Sequence, residues 1–332
     1  MKSSLEFIRF VFICIIAIWH DNTLNVFSHS VVVEFFFILS GFLLYNSYRK
    51  DPSLTPFDFA KKRISRLYCE YVVALLITLI INVVKEPTNK EFLYSQIGSI
   101  IPELLMIQSV GIFQGGINPI NWYIQVMFIG SVFLYALLYC SPKYSKYIII
   151  PGIVLSGFTY LFSRGDSVVQ WETIGCIHLP MLRGMCSLSL GVLSAYVYFE
   201  NNNINRFSSF ITNVGSILAL GLILISTRLQ IVLDKYIIFL SPIIIIACFE
   251  EKSWLNRIFH SKWQIWLGRI SYAMLLVHCA YIPVFHKLLS VMSWKLPLVL
   301  MIGMYLLTLV LLSAGFQWVC DMIRHRLKVL VK

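Results

Sequence analysis

The hydrophobic positions of this chain come in long blocks, and the polar positions collect in the gaps between them. About 20 consecutive apolar residues is the length an α-helix needs to cross a bilayer core. Read this way, the pattern predicts spans near 5–26, 30–48, 67–84, 121–140, 147–163, 179–199, 208–227, 235–249, 263–286 and 297–319. The fifth and the eighth are short. The expected fold class is an all-α polytopic membrane protein with about ten transmembrane helices. Between 85 and 120 the pattern turns irregular: Pro87, Pro102, Gly111, Gly115, Gly116 and Pro119 surround an apolar middle from Ile100 to Ile112. Such a segment is expected to be interfacial or re-entrant, on the outer face, walling an acceptor site. No internal repeat is evident, so the inverted-repeat mark of many secondary transporters is missing. Small residues recur at Ser187, Gly191 and Ala195, and at Gly215 and Ala219, a spacing that suits close helix packing.

Composition agrees. Hydrophobic residues make up 58% of the chain and the mean hydropathy is +0.77, well above a soluble domain. The formal charge of +11 then needs no nucleic acid, because Lys and Arg concentrate in cytoplasmic loops of membrane proteins. With the N-terminus inside, 17 of the 27 Lys and Arg fall on the inner side and seven on the outer, while Arg9, Arg183 and Arg269 lie within or at the ends of spans. This asymmetry predicts ten spans with both termini cytoplasmic. The start has Lys2 and an apolar core, but no small-residue cleavage site follows Trp19-His20-Asp21, so it reads as a retained first span. The whole of 1–332 reads as a single transmembrane domain with no appended soluble domain. Of the eight cysteines, most fall inside apolar runs (Cys14, Cys140, Cys186, Cys248, Cys279) and Cys176 lies in an outer loop, so no disulfide framework is expected.

Against this apolar background the ionisable residues stand out, since charge at membrane depth is expensive and usually functional. Arg9 and His20 share the first span. Eleven residues apart, they point the same way, roughly 16 Å apart along a helix axis. Glu34 opens the second span, and the short connection leaves it at a depth similar to His20. A carboxylate that orients an imidazole and stabilises its cation is the usual partner of a histidine base. The competing account of His20 is a helix-end histidine satisfied by water or a carbonyl. Ser40-Gly41 interrupts the second span and fits either helix packing or close backbone approach. At the inner end of span three, Lys61-Lys62-Arg63-Ile64-Ser65-Arg66 fits the positive-inside rule. It also fits a phosphate clamp, because Arg63 and Arg66 share a helix face. Arg183 can snorkel, and the Trp122-Tyr123 pair suits an aromatic belt. Ser271, Tyr272 and His278 share one side of span nine, with His278 read as a buried, hydrogen-bonded histidine. His29, His178, His260, His286 and His325 lie in loops or at span ends. No pair of histidines has metal-ligand spacing, so no metal is expected.

These residues carry a resemblance. Arg9 and His20, with ten residues between them, resemble the arginine–histidine motif of the membrane-bound acyltransferase 3 family, the O-acyltransferases of bacterial surface polysaccharides. Val33-Glu34-Phe35-Phe36-Phe37-Ile38-Leu39-Ser40-Gly41-Phe42 resembles the family's second-span motif. Arg63-Ile64-Ser65-Arg66-Leu67-Tyr68 resembles its double-arginine motif, with Cys69 where proline is common. Trp122-Tyr123-Ile124 is similar to its tryptophan motif, but Met127 stands where many members have glutamate. Ser271-Tyr272 with His278 is similar to its late Ser-Tyr…His stretch. The resemblance implies transfer of an acyl group, usually acetyl, from cytoplasmic acyl-CoA to a carbohydrate hydroxyl. His20 and Glu34 would be catalytic, and Arg9, Arg63 and Arg66 would hold the donor. Ser40, Trp122, Arg183, Ser271, Tyr272 and His278 are candidate lining residues. Acyl-CoA is a co-substrate and not a resident cofactor, and the acceptor is a free or lipid-linked glycan. The alternative is a carrier or exporter of a glycan or lipid, with Arg9, His20 and Glu34 as a proton or substrate path.

Overall fold

The computed structural model describes residues 2–111, 116–175, 177–200, 211–292 and 297–330, the side chains of 211 and 327–330 excepted. The expectations for Ile112, Gly115, Cys176, Arg206, Lys295 and Lys332 lie outside these residues. In chain order the main helices are α1 (Ser3–His20), α2 (Ser30–Lys50), α3 (Pro56–Lys85), α4 (Lys90–Leu104), α5 (Asn121–Cys140), α6 (Pro142–Ser163), α7 (Leu179–Glu200), α8 (Thr212–Leu229), α9 (Ser241–Phe249), α10 (Lys262–Met292) and α11 (Leu298–Leu330). All but α4 and α9 are long and apolar enough to cross a membrane. A two-stranded antiparallel ribbon, Thr173–Ile174 with Ile177–His178, precedes α7. The protein is an all-α multi-pass membrane protein.

Local chemistry sets the helix starts. Thr55 caps α3 by accepting the backbone N–H of Asp58 at 3.1 Å, with Pro56 in the first turn. Asn89 caps α4 in the same way through Phe92 N–H. The predicted eighth span is a composite of two short turns, Asp234–Ile237 and Ile238–Leu240, followed by α9. Asp234 accepts from Ser30 Oγ at 2.8 Å, at the His20 end of the bundle. At the other end, Asn256 Nδ2 donates to the Cys248 carbonyl, and Asn256 Oδ1 accepts from Ser4 Oγ. This stretch therefore also runs from one end of the bundle to the other.

The irregular segment after α3 re-enters the bundle. α4 folds back beside α3, with Asn82 Nδ2 donating to Gln96 Oε1 at 2.8 Å and Tyr71 OH donating to the Glu103 carbonyl at 2.9 Å. Tyr71 lies 14 residues before the end of α3, roughly 21 Å along its axis. The tip of α4 is thus held at the depth where α5 begins.

Two seams are unusually close. At the first, Gly41 of α2 sits on the Leu188 carbonyl of α7, and Gly191 of α7 sits on the Ile38 carbonyl of α2. A Cβ at either glycine would overlap that carbonyl oxygen. The Ser187, Gly191, Ala195 stripe and Ser40-Gly41 are thereby explained as packing. At the second, Gly268 of α10 rests against Glu6 of α1.

Candidate active site

α1 is one unbroken helix, so Arg9 and His20 do lie on a common rod. His20, its last residue, borders a cavity of about 420 Å³. The wall is mostly aromatic. Trp19 and His20 come from α1, His29 precedes α2, Val33 and Phe36 are on α2, and Trp122 and Tyr123 open α5. Loop residues Pro119, Ile120, Val169 and Trp171 and the helix residues Ile16 and Leu275 complete it. Pro119 and Ile120, at the end of the irregular segment, border this cavity. Trp19 stacks on His29 with ring centroids 3.5 Å apart, and Trp122 meets Trp171 edge-on at 5.0 Å. Trp122 and Tyr123 face this cavity; Tyr123 is only 8% exposed, so a lipid-facing aromatic belt does not describe it.

The imidazole of His20 is held from one side. Its Nδ1 lies 2.9 Å from the Ile16 carbonyl and 3.3 Å from Nε2 of His278. Glu34 was expected to orient this ring, and the structure does not bring the two together. Its carboxylate, 0% exposed, accepts from Arg183 Nε and from Ser187 Oγ on α7. The physical reason is the α2–α7 seam, which turns Glu34 toward α7 and away from α1. Arg183 completes a charge-neutral buried pair and lies 5.4 Å over the Trp122 ring. It is neither at an interface nor snorkelling. A buried guanidinium without its carboxylate would be prohibitive, so each residue accounts for the other's presence.

The donor candidates converge in part. Arg9 Nη1 is paired with buried Glu6 at 2.8 Å. The positive charges of Arg9 and Arg63 act on Tyr123, a residue of the cavity wall whose hydroxyl lies 3.7 Å from Met127 Sδ. Nε of Arg63 is buried with no protein partner, while Arg66 is exposed and its carbonyl accepts from Arg324. Ser271 bonds the Leu267 carbonyl of its own helix, and Tyr272 OH donates to the Leu67 carbonyl of α3. Tyr272 thus ties α10 to α3, and neither residue borders the cavity. Sulfur of Cys279 comes within 4.8 Å of the ring nitrogens of His20 and His278, the one group of metal-type donors among the described residues.

Several residues with a bearing on the site were not singled out in the sequence. His29 and Trp171 line the cavity, and Glu103 anchors its floor. Glu103, 1% exposed, accepts from Tyr71 OH, Asn121 Nδ2 and the backbone N–H of Ile117. These bonds fix the loop that ends in Pro119 and Ile120. A glutamate in an apolar stretch (Ile100 to Ile112) was the available signal, hidden by the irregular pattern around it.

The fold is that of a many-helix membrane bundle that holds an aromatic-rich cavity bordered by a histidine. The family model described as an acyltransferase domain, of the acyltransferase 3 type, matches residues 2–316 of the 332. The chain belongs to that family and is a membrane acyltransferase. No curated protein and no solved structure matches it.

Proposed function

We propose that this protein is an O-acyltransferase that moves a short acyl group, acetyl in the first instance, from cytoplasmic acyl-CoA to a hydroxyl of a cell-surface carbohydrate. The observation that carries the reading is the position of His20. It is a titratable ring in the wall of a cavity lined otherwise by aromatic and aliphatic side chains, with Arg9 and Arg63 close enough for their charges to act on Tyr123 of that wall. Arginines suit the phosphates of a CoA donor. Aromatic faces with few polar groups suit the apolar faces of a sugar ring.

In this mechanism the acceptor hydroxyl gives its proton to His20 as its oxygen attacks the thioester carbon. The carbon–sulfur bond then breaks, and the leaving thiolate takes the proton back from the imidazolium. An ester and free CoA thiol result, and the histidine returns to its starting form. A base so placed contributes roughly 10²–10⁴-fold. Purified protein in detergent, given acetyl-CoA and the glycolipid fraction of the producing cells, tests it. Wild type should esterify the glycolipid without any membrane gradient. His20→Ala should abolish transfer while acetyl-CoA still binds. Normal turnover in a folded His20→Ala variant, or transfer that requires a gradient, would overturn the reading.

A further inference from the structure

We infer that His278 is the positioning residue that fixes the tautomer of His20 and so leaves Nε2 of His20 as its basic nitrogen; the inference rests on the role proposed above for His20. The argument follows the acceptors. Nδ1 of His278 lies 3.1 Å from the carbonyl of Met274, one turn back on its own helix. A carbonyl can only accept, so that nitrogen carries a hydrogen. His278 is 0% exposed, and no carboxylate among the described residues is hydrogen-bonded to it. An imidazolium there would be a buried charge without a counter-ion, so the ring is neutral. Its Nε2 is therefore a lone pair, directed at Nδ1 of His20 at 3.3 Å.

Nδ1 of His20 thus meets two acceptors, the Ile16 carbonyl at 2.9 Å and the His278 lone pair. Without a hydrogen it would set lone pair against lone pair on both sides. The hydrogen of neutral His20 consequently sits on Nδ1, and Nε2 across the ring is free to take a proton. When Nε2 does so, the new positive charge is shared with Nδ1–H and both of its bonds strengthen. The task given to a carboxylate in many histidine-based sites falls here to a second histidine and a carbonyl. The two rings, 4.9 Å apart at an interplanar angle of 64°, also hold each other's orientation. Without His278 only the Ile16 carbonyl holds Nδ1, so the ring is freer to turn and to exchange tautomers.

The test has two arms on the full-length protein in detergent. In the first, ¹⁵N-histidine-labelled wild type is compared with His20→Ala, which identifies the ring signals of His20. The expected spectrum has hydrogen on Nδ1 and a bare Nε2; hydrogen on Nε2 overturns the inference whatever the activity. In the second arm, thiol release from acetyl-CoA is followed with the same glycolipid fraction as acceptor. His278→Leu, which offers no acceptor, should lower kcat about 10²–10³-fold with KM for acetyl-CoA within about twofold. His278→Gln, whose side-chain oxygen can accept from Nδ1, should recover to within about tenfold of wild type. A folded His278→Leu enzyme with wild-type kcat, or equal losses in the Leu and Gln variants, overturns the positioning role while leaving the His20 mechanism standing. Retained activity in His20→Ala would instead sink the underlying mechanism.

Discussion

Arg183 on α7 and Glu34 on α2 form an ion pair wholly out of water, its guanidinium lying over the Trp122 ring. Removing one member leaves the other charge buried and unpaired, which costs roughly 3–5 kcal/mol. Glu34→Ala should therefore destabilise the folded protein by about that much. Glu34→Ala/Arg183→Met should cost less than Glu34→Ala alone. Denaturant unfolding in one detergent compares them. A stable, fully folded Glu34→Ala protein would show that the pair is not a keystone of the α2–α7 seam.

The two arginines of the Arg63–Arg66 motif should behave differently. Arg63 reaches the Tyr123 environment and has an unused buried Nε, whereas Arg66 is exposed. Loss of one charge-assisted contact costs about 1.5–3 kcal/mol, roughly tenfold to a hundredfold in affinity. Arg63→Ala should weaken acetyl-CoA binding by that range and Arg66→Ala by less. Calorimetric titration of the purified variants reads both values. Unchanged affinity in Arg63→Ala would leave the motif a topological role only.

His29, in the loop before α2, gives a pH signature. Burial pushes its imidazole down to about 3, and the nearby charges of Arg183 and His20 push the same way. The unfolded chain takes up a proton below about 6.5 while the folded protein holds this ring neutral. Protons are then bound preferentially by the unfolded state, so stability falls as pH drops from about 6.5 toward 3. His29→Gln should flatten that part of the profile, measured by thermal unfolding from pH 7 to 4. An unchanged slope in the variant would assign the dependence to other groups.

Glu103 is a stability prediction with a functional edge. Glu103→Leu strips the acceptor from Asn121 Nδ2 and the Ile117 amide, while Tyr71 OH keeps the backbone carbonyl of residue 103. Each orphaned buried donor costs about 1–3 kcal/mol. Hydrogen exchange of the backbone at 116–121 should rise sharply while α2 and α7 stay protected. Equal exchange in variant and wild type would mean that the loop is held by other contacts.

Orientation is open to direct measurement. The count of Lys and Arg predicts the α2–α3 connection inside and α4 outside. Single cysteines at Ser53 and Ser95, both exposed positions, should be labelled by an impermeant thiol reagent only at 95 in intact cells. Labelling at 53 would reverse the assignment.

The long spans were legible because apolar block length alone decides them. The eighth was too short by that criterion, because it is assembled from a turn, a tighter turn and the short helix α9, with its ends fixed by Asp234 and Asn256. Arg9 and His20 on one rod followed from helix periodicity. The partner of His20 did not. Sequence proximity favours Glu34, but Gly41 and Gly191 let α2 and α7 approach so closely that Glu34 pairs with Arg183 and Ser187 of α7. His278, 258 residues away from His20, is brought in by the packing of α10 on α1 at Gly268, a contact no local pattern announces. The cavity-facing side of Trp122 and Tyr123 was hidden for a related reason: an aromatic at the end of a span looks the same whether it faces lipid or a cavity.

The two glycine seams also divide the molecule mechanically. α1 and α10, locked at Gly268 and Glu6, carry both histidines; α2 and α7, locked at Gly41 and Gly191, carry the Glu34–Arg183 pair, and Val33 and Phe36 of α2 form part of the opposite wall. Close glycine contacts hold each pair together, so any widening of the cavity is predicted to occur between the pairs, across the Trp19–His29 stack. The histidine dyad rides on a single half and keeps its geometry while the gap widens for a bulky acceptor. A disulfide tying α1 to α10 should accordingly leave turnover intact, and one tying α1 to α2 across the cavity should slow large acceptors more than small ones.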